Sequence, residues 1–103
     1  MVEPVSVDNR DSNIIFIGSK PFMNYVTGVV MQFTTHGTSK VVIKARGKFI
    51  SKAVDVEEVA TKRFLEGNVG ISEVKLNSEE FQNTEGKNIK VSTIEISLTK
   101  KVN

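Results

Sequence analysis

A two-layer α/β domain with the order β-α-β-α-β-β, two helices against one four-stranded mixed sheet, is what the sequence predicts. Three features lead there. Two short apolar runs, Ile14–Ile17 and Val41–Ile43, each end near a glycine. Each precedes a stretch with apolar residues at helical spacing. The last third alternates at the period of two that marks strands, with one polar, glycine-containing interruption, so it reads as a long hairpin. The chain has 103 residues, enough for one domain that buries a core without disulfides or metal.

The first strand is expected at Asn13–Gly18, where Ile14, Ile15, Phe16 and Ile17 form the continuous run of a buried strand. Pro21 suits the first turn of a helix, where its missing N–H loses nothing. Phe22, Tyr25, Val26, Val29, Val30 and Phe33 then recur three and four residues apart on one face. Gly28 weakens that helix slightly, and Gly37 marks its end. Val41, Val42 and Ile43 make the second strand, closing at Gly47. A second helix, running from Ile50 to Leu65, carries an apolar stripe of Ala53, Val56, Ala60 and Phe64, with Gly67 as its C-cap. A strand, helix and strand of these lengths form a right-handed crossover, which makes the first two strands parallel. In the hairpin, Ile71, Val74 and Leu76 belong to one arm, and Ile89, Val91, Ile94, Ile96 and Leu98 to the other. The alternation slips by one between Ile71 and Val74 and again between Val91 and Ile94; a β-bulge at each place accounts for both. The tip, Gln82 to Asn88, is polar and exposed.

Hydrophobic residues make up 39% of the chain and charged residues 25%, the balance of a folded domain that stays in water. No apolar run approaches the length of a membrane span. Residues 1–12, which include Glu3, Asp8 and Asp11, read as a flexible acidic extension ahead of a domain over residues 13–101. They lack the basic start and apolar stretch of a signal peptide, which points to a cytoplasmic protein. The absence of cysteine excludes disulfides and thiolate zinc sites.

The net charge is only +2, but it is unevenly placed. Residues 40–63 hold seven cations against three acids, and Lys40 to Lys52 contain no acid. Such clustering leaves an electrostatic footprint on an otherwise near-neutral protein. Three places combine cations with a glycine or a turn. Gly18-Ser19-Lys20-Pro21 offers backbone N–H groups at a helix start and one lysine, which suits a phosphate, and it is equally an ordinary strand–helix turn. Lys44-Ala45-Arg46-Gly47-Lys48 places Lys44 and Arg46 on one side of a strand, and Arg46 can grip a phosphate bidentately. Its plain reading is a solvated charged face. Topology links the two: both lie at strand C-termini of one parallel unit, so both cation sets emerge on one edge of the sheet. The third place is the hairpin tip with Lys87 and Lys90, where Glu79, Glu80 and Glu85 partly cancel the charge.

Catalysis finds little support. His36 is the only histidine and sits in a helix-ending turn. No Gly-x-Ser-x-Gly elbow is present, and Glu57 and Glu58 read as neighbours on a helix surface. The expectation is a protein that is not an enzyme and needs no cofactor or metal.

Ile17-Gly18-Ser19-Lys20-Pro21-Phe22-Met23-Asn24-Tyr25-Val26, Val42-Ile43-Lys44-Ala45-Arg46-Gly47-Lys48 and Ile50-Ser51-Lys52-Ala53-Val54-Asp55 together resemble the Alba family. That family comprises DNA- and RNA-binding chromatin proteins best known from archaea. Arg63-Phe64-Leu65 and Val91-Ser92-Thr93-Ile94-Glu95-Ile96 extend the resemblance from Asn13 to Lys101. It implies a fold similar to the C-terminal domain of bacterial translation initiation factor three, and a homodimer. It further implies that Lys20, Arg46 and Lys48 face nucleic acid, with Asn24, Tyr25 and Lys52 as additional contacts and Lys87 and Lys90 on an arm along the minor groove. Phe64 falls where the family makes contacts between dimers on DNA. Two departures stand out. Ser19 replaces the first of two lysines that usually precede the proline, a position under acetylation control in some members. The arm is more acidic than usual and has no arginine.

The function expected is sequence-independent binding of double-stranded DNA and chromosome compaction, with localisation to the chromosome. RNA binding within a ribonucleoprotein is the alternative, since a dimeric cationic face suits both duplexes. An enzyme acting on nucleic acid would need a base or metal cluster that the sequence does not display.

Overall fold

The computed structural model describes residues 13–101; the acidic segment 1–12 lies outside them. Strand β1 spans Ile14–Phe16, helix α1 Phe22–Thr34 and strand β2 Lys40–Arg46. A 3-10 turn over Gly47–Phe49 leads into helix α2, Ile50–Val59, and a π-helical turn over Ala60–Phe64 continues it. Strands β3, Val69–Gln82, and β4, Asn88–Lys100, form the hairpin. The sheet order is β1-β2-β4-β3. β1 and β2 are parallel, as the crossover argument requires, and β2–β4 and β4–β3 are antiparallel.

Both helices lie on one face. Val41, Ile43 and Ala45 of β2 and Ile94, Ile96 and Leu98 of β4 point toward them, meeting Val26, Val29 and Phe33 of α1 and Ala53, Val56 and Ala60 of α2. Burying this set is the main stabilising term of the domain. Gly28 has a use that its low helix propensity hides: a Cβ there would come within 3.3 Å of Ile15 Cδ1, so glycine lets α1 press onto β1. Gly47, at φ 58, turns the chain out of β2 in the left-handed region that other residues resist.

β1 departs from the expected buried strand. It is an edge strand covered on one face only, so Phe16 is 68% exposed while Ile17 is buried. The expected bulge after Ile71 is present, as a register shift between Ile71 and Glu73. The second expected bulge is absent: β4 pairs without a break from Asn88 to Leu98. Ile89 and Val91 instead sit on the outer face, opposite Phe81 and Glu79, whereas Ile94, Ile96 and Leu98 face the helices. The apolar side changes because the arm has outer-face partners of its own, among them Phe81.

The end of α2 also differs from a regular wheel. Leu65 N–H donates to Ala60 C=O at 3.0 Å, an i to i−5 bond. This π turn rotates Phe64 outward, to 53% exposure, and buries Leu65 in its place. The helix therefore ends at Leu65, and Gly67 lies beyond it in a turn closed by Asn68 N–H donating to Leu65 C=O at 2.9 Å.

Glu57 is not a surface acid. It is 3% exposed, and its carboxylate accepts a hydrogen bond from Thr61 Oγ1 at 3.0 Å. Burial, first, and the hydrogen bond with the Glu58 carboxylate push its pKa from 4.5 up to about 7. Hydrogen bonds from Glu57 and then Lys62 hold Glu58 below its ordinary value. Between these limits the folded protein keeps a proton on Glu57 that the unfolded chain releases, so this group's contribution to stability is full below about pH 4.5 and is lost as pH rises through about 7. Glu57→Gln is expected to remove that loss and to stabilise the protein at pH 8 by about 3 kcal/mol relative to the unchanged chain. Urea unfolding at pH 5 and pH 8 measures it; equal pH dependence in both proteins would contradict it.

Candidate nucleic-acid interface

The loop between β1 and α1 is held by two side chains. Tyr25, buried on the first turns of α1, accepts hydrogen bonds at its hydroxyl from Gly18 N–H at 2.9 Å and Lys20 N–H at 3.1 Å. From α2, the Lys52 ammonium donates to Gly18 C=O and Lys20 C=O, both at 2.6 Å, while lying 5.0 Å from the Tyr25 ring centroid. Lys52 is also 6.0 Å from the Phe49 ring, over which Lys48 lies at 5.4 Å. One ammonium thus ties the loop bearing Lys20 to the turn bearing Lys48. Tyr25 and Lys52 thus position the backbone around Lys20, while the Tyr25 O–H and one Lys52 N–H keep their capacity to donate. Ser19, Lys20, Asn24 and Lys48 are exposed. Among the described residues neither Lys20 nor Lys48 enters an ion pair.

Lys44 and Arg46 do fall on one side of β2, the face turned away from the helices. There they meet acids that spacing along β2 could not reveal. Arg46 Nη2 is 3.1 Å from Glu79 Oε1 of β3, with its guanidinium 5.8 Å from the Phe81 ring. Lys44 Nζ is 3.9 Å from Glu95 Oε2 and 5.8 Å from the Phe16 ring. Both pairs are solvent-exposed, so each contributes at most about 1 kcal/mol and opens readily to a competing phosphate.

β2 stops at Arg46, opposite Thr93, and β3 and β4 continue alone as a two-stranded arm. Its tip is an Asx turn in which Asn83 Oδ1 accepts from the N–H groups of Glu85 and Lys87. Lys87 and Lys90 are exposed on the arm, and Lys90 is registered opposite Glu80.

Residues 13–78 match the family model named Alba. The chain belongs to the Alba family. Two relatives named DNA/RNA-binding protein Alba resemble this Alba-family chain over almost their whole length. That from Methanococcus maripaludis is 51% identical over 88 residues, covering 85% of this chain and 98% of the relative. That from Nanoarchaeum equitans is 54% identical over 88 residues, covering 84% and 97%. Among solved structures, Alba from Thermoplasma volcanium superposes with a TM-score of 0.77 at 48% identity, covering 84% of this chain and 99% of that one. The α+β fold with two helices and a four-stranded mixed sheet is the fold of that Alba structure. No helix among the described residues is long and apolar enough to cross a membrane.

The family resemblance directs attention to cations. It does not mark Phe16, Phe81, Glu79 or Glu95, which the fold brings onto the outer face of the sheet. Reading β1 as an edge strand with a bare side would have found Phe16. Nothing local points to the pairing of Arg46 with Glu79.

Proposed function

We propose that the chain binds double-stranded DNA without regard to sequence, as a homodimer, and compacts the chromosome by lining dimers along it. The observation that carries this reading is the scaffold around Lys52, which holds Lys20 and Lys48 together at one end of the sheet, beside Arg46 at the end of β2. Cations fixed on backbone turns contact phosphates and carry no base information, so the affinity they supply is indifferent to sequence. The names of the relatives, DNA/RNA-binding protein Alba, support a nucleic-acid partner of either kind.

A homodimer is supported by a strip of the core face that the monomer leaves open. Ile71, Val74 and Leu76 of β3 pair with Leu98, Ile96 and Ile94, so they point to the helix side, yet all three are exposed. On α2, Val54 lies on the flank shared with Glu57 and Glu58, at three- and four-residue spacing, and is also exposed. A second copy would remove this apolar surface from water.

Binding equal-length DNA and RNA duplexes side by side tests the target: tighter DNA binding supports the reading, and an RNA preference assigns the protein to ribonucleoprotein work. Labelled DNA and RNA should remain intact with magnesium, since the reading is of a binder and not an enzyme.

Phe64 is assigned to contacts between neighbouring dimers. Its exposure on the π turn fits that role better than a place in the core. Phe64→Ala is expected to shift stability by less than about 1 kcal/mol, well under the loss at a buried phenylalanine. The binding isotherm on long DNA should lose its steepness while the affinity for a short duplex holds. A stable variant with unchanged steepness would remove Phe64 from the contact.

A further inference from the structure

We propose that the outer face of the sheet is a stacking surface for unpaired bases of RNA, separate from the cationic scaffold around Lys52. The inference rests on the nucleic-acid reading and adds a second site to it.

Two phenylalanines project from this face, where among the described residues no helix covers them. Phe16 is 68% exposed and Phe81 43%. Each already has a cation against its ring: Lys44 lies 5.8 Å from the Phe16 centroid and Arg46 5.8 Å from that of Phe81. The planar Arg46 guanidinium is itself a stacking surface. A cleft of about 270 Å³ opens beside Phe16, walled by it and by Lys44, Arg46, Glu79 and Glu95, and Phe81 lies outside it, against Arg46. Phe16 is registered with Lys44, Lys44 with Glu95, and Glu95 with Lys75, six residues before Phe81. The rings are therefore about 20 Å apart along the strands and three strand spacings apart across the sheet, roughly 25 Å in all, which leaves room for more than one base.

Charge distinguishes this occupant from a duplex. Each cation here has a carboxylate beside it, Glu95 at 3.9 Å and Glu79 at 3.1 Å, so the face is close to neutral. A duplex backbone reaches this face only at its edge, where Arg46 opens its exposed pair with Glu79, and gains little from the part around Lys44 and Glu95. An unpaired base gains from all of it: the rings and guanidinium offer planes to stack on, the carboxylates accept from amino and imino N–H groups, and the cations donate to carbonyl and ring nitrogen acceptors. A duplex keeps its base faces stacked internally and cannot use the rings. Unpaired bases in RNA loops and single-stranded stretches present theirs. Arg46 stands at the end of β2 next to Gly47 and Lys48, so a strand leaving this cleft reaches the phosphate-binding turn directly.

The test uses the full chain with three labelled probes: a short oligoadenylate RNA, the DNA strand of the same sequence, and a duplex DNA. Phe16→Ala and Phe81→Ala are each expected to weaken the RNA strand roughly tenfold, to leave duplex affinity within about twofold, and to leave the fold intact, with the melting temperature unchanged for Phe16→Ala and lowered by a few degrees at most for Phe81→Ala, which gives up its cross-strand contact with Ile89. Phe16→Tyr should retain RNA affinity and Phe16→Leu should lose it, which separates stacking from apolar contact. Unchanged RNA affinity in both alanine variants, or equal losses on strand and duplex, would overturn the stacking site while leaving the duplex reading in place. A DNA strand that outcompetes the RNA would overturn the assignment to RNA. A smaller sedimenting species in Phe16→Ala with unchanged RNA affinity would overturn it in favour of a contact between copies. Failure of the unaltered protein to bind any of the three probes would overturn both readings together.

Discussion

Raising salt from about 50 to about 200 mM is expected to weaken duplex DNA binding roughly a thousandfold. In the proposed homodimer Lys20, Arg46 and Lys48, presented twice, would neutralise about six phosphates, which gives a slope of log K against log salt near −5. Lys52 keeps its charge and one N–H beyond the two given to carbonyl oxygens of the β1–α1 loop, so a phosphate contact from it would steepen the slope further. Arg46 counts, although Glu79 lies 3.1 Å away, because an exposed pair of this kind exchanges its carboxylate for a phosphate at small cost. Arg46→Ala should therefore lower the slope to about −3.5 and weaken all duplex sequences alike. Fluorescence titrations across the salt range measure both quantities. A slope near zero would mean that the ledge of cations is a solvated surface and that any binding uses other chemistry. A normal slope unaffected by Arg46→Ala would mean that Glu79 keeps the guanidinium for itself.

Val74→Glu is expected to convert the proposed homodimer to a folded monomer. Val74 sits between Ile71 and Leu76 on the uncovered part of the core face, and Leu76 is 74% exposed in the single chain. A charge at the centre of that strip loses its hydration when a second copy covers it, a cost of several kcal/mol with no partner to offset it. The isolated chain bears no such cost, because β3 is an edge strand and Val74 remains in contact with water. Sedimentation should give one chain's mass, circular dichroism an unchanged fold, and the salt slope on duplex DNA should fall by half, to about −2.5. A dimer that persists at micromolar concentration would place the interface elsewhere. A slope that stays near −5 in a proven monomer would show that one chain alone contacts all six phosphates. The two measurements thus separate the oligomer from the phosphate count.

Local chemistry made much of this protein legible. Pro21 and the three-and-four spacing from Phe22 to Phe33 placed α1, Gly47 closed β2, and the length of the first crossover made β1 and β2 parallel, all of which depend on residues near one another in the chain. The bulge after Ile71 was readable because a slip in a period of two has a local cause. The cations Lys20, Arg46 and Lys48 were readable as types and positions for the same reason. What the strand period could not supply was which face of each strand is covered. Phe16 looks like core in a run of apolar residues and is bare because β1 lies at the sheet edge with helices on one side only. The slip at Val91–Ile94 looks like a bulge and is a change of partner from one face to the other. Phe64 and Leu65 exchange roles because the last turn of the second helix widens to an i to i−5 bond, and Glu57 becomes a buried acid because it borders the Ala53, Val56 and Ala60 stripe and folds against Thr61, although Val54 and Glu58 beside it stay exposed. The contacts of Arg46 with Glu79 and of Lys52 with the β1–α1 loop join residues more than thirty positions apart. The sequence by itself determined the elements, their order and the chemical groups available; tertiary packing alone decided which of those groups meet, because burial and charge pairing depend on distances in space that a one-dimensional pattern does not contain.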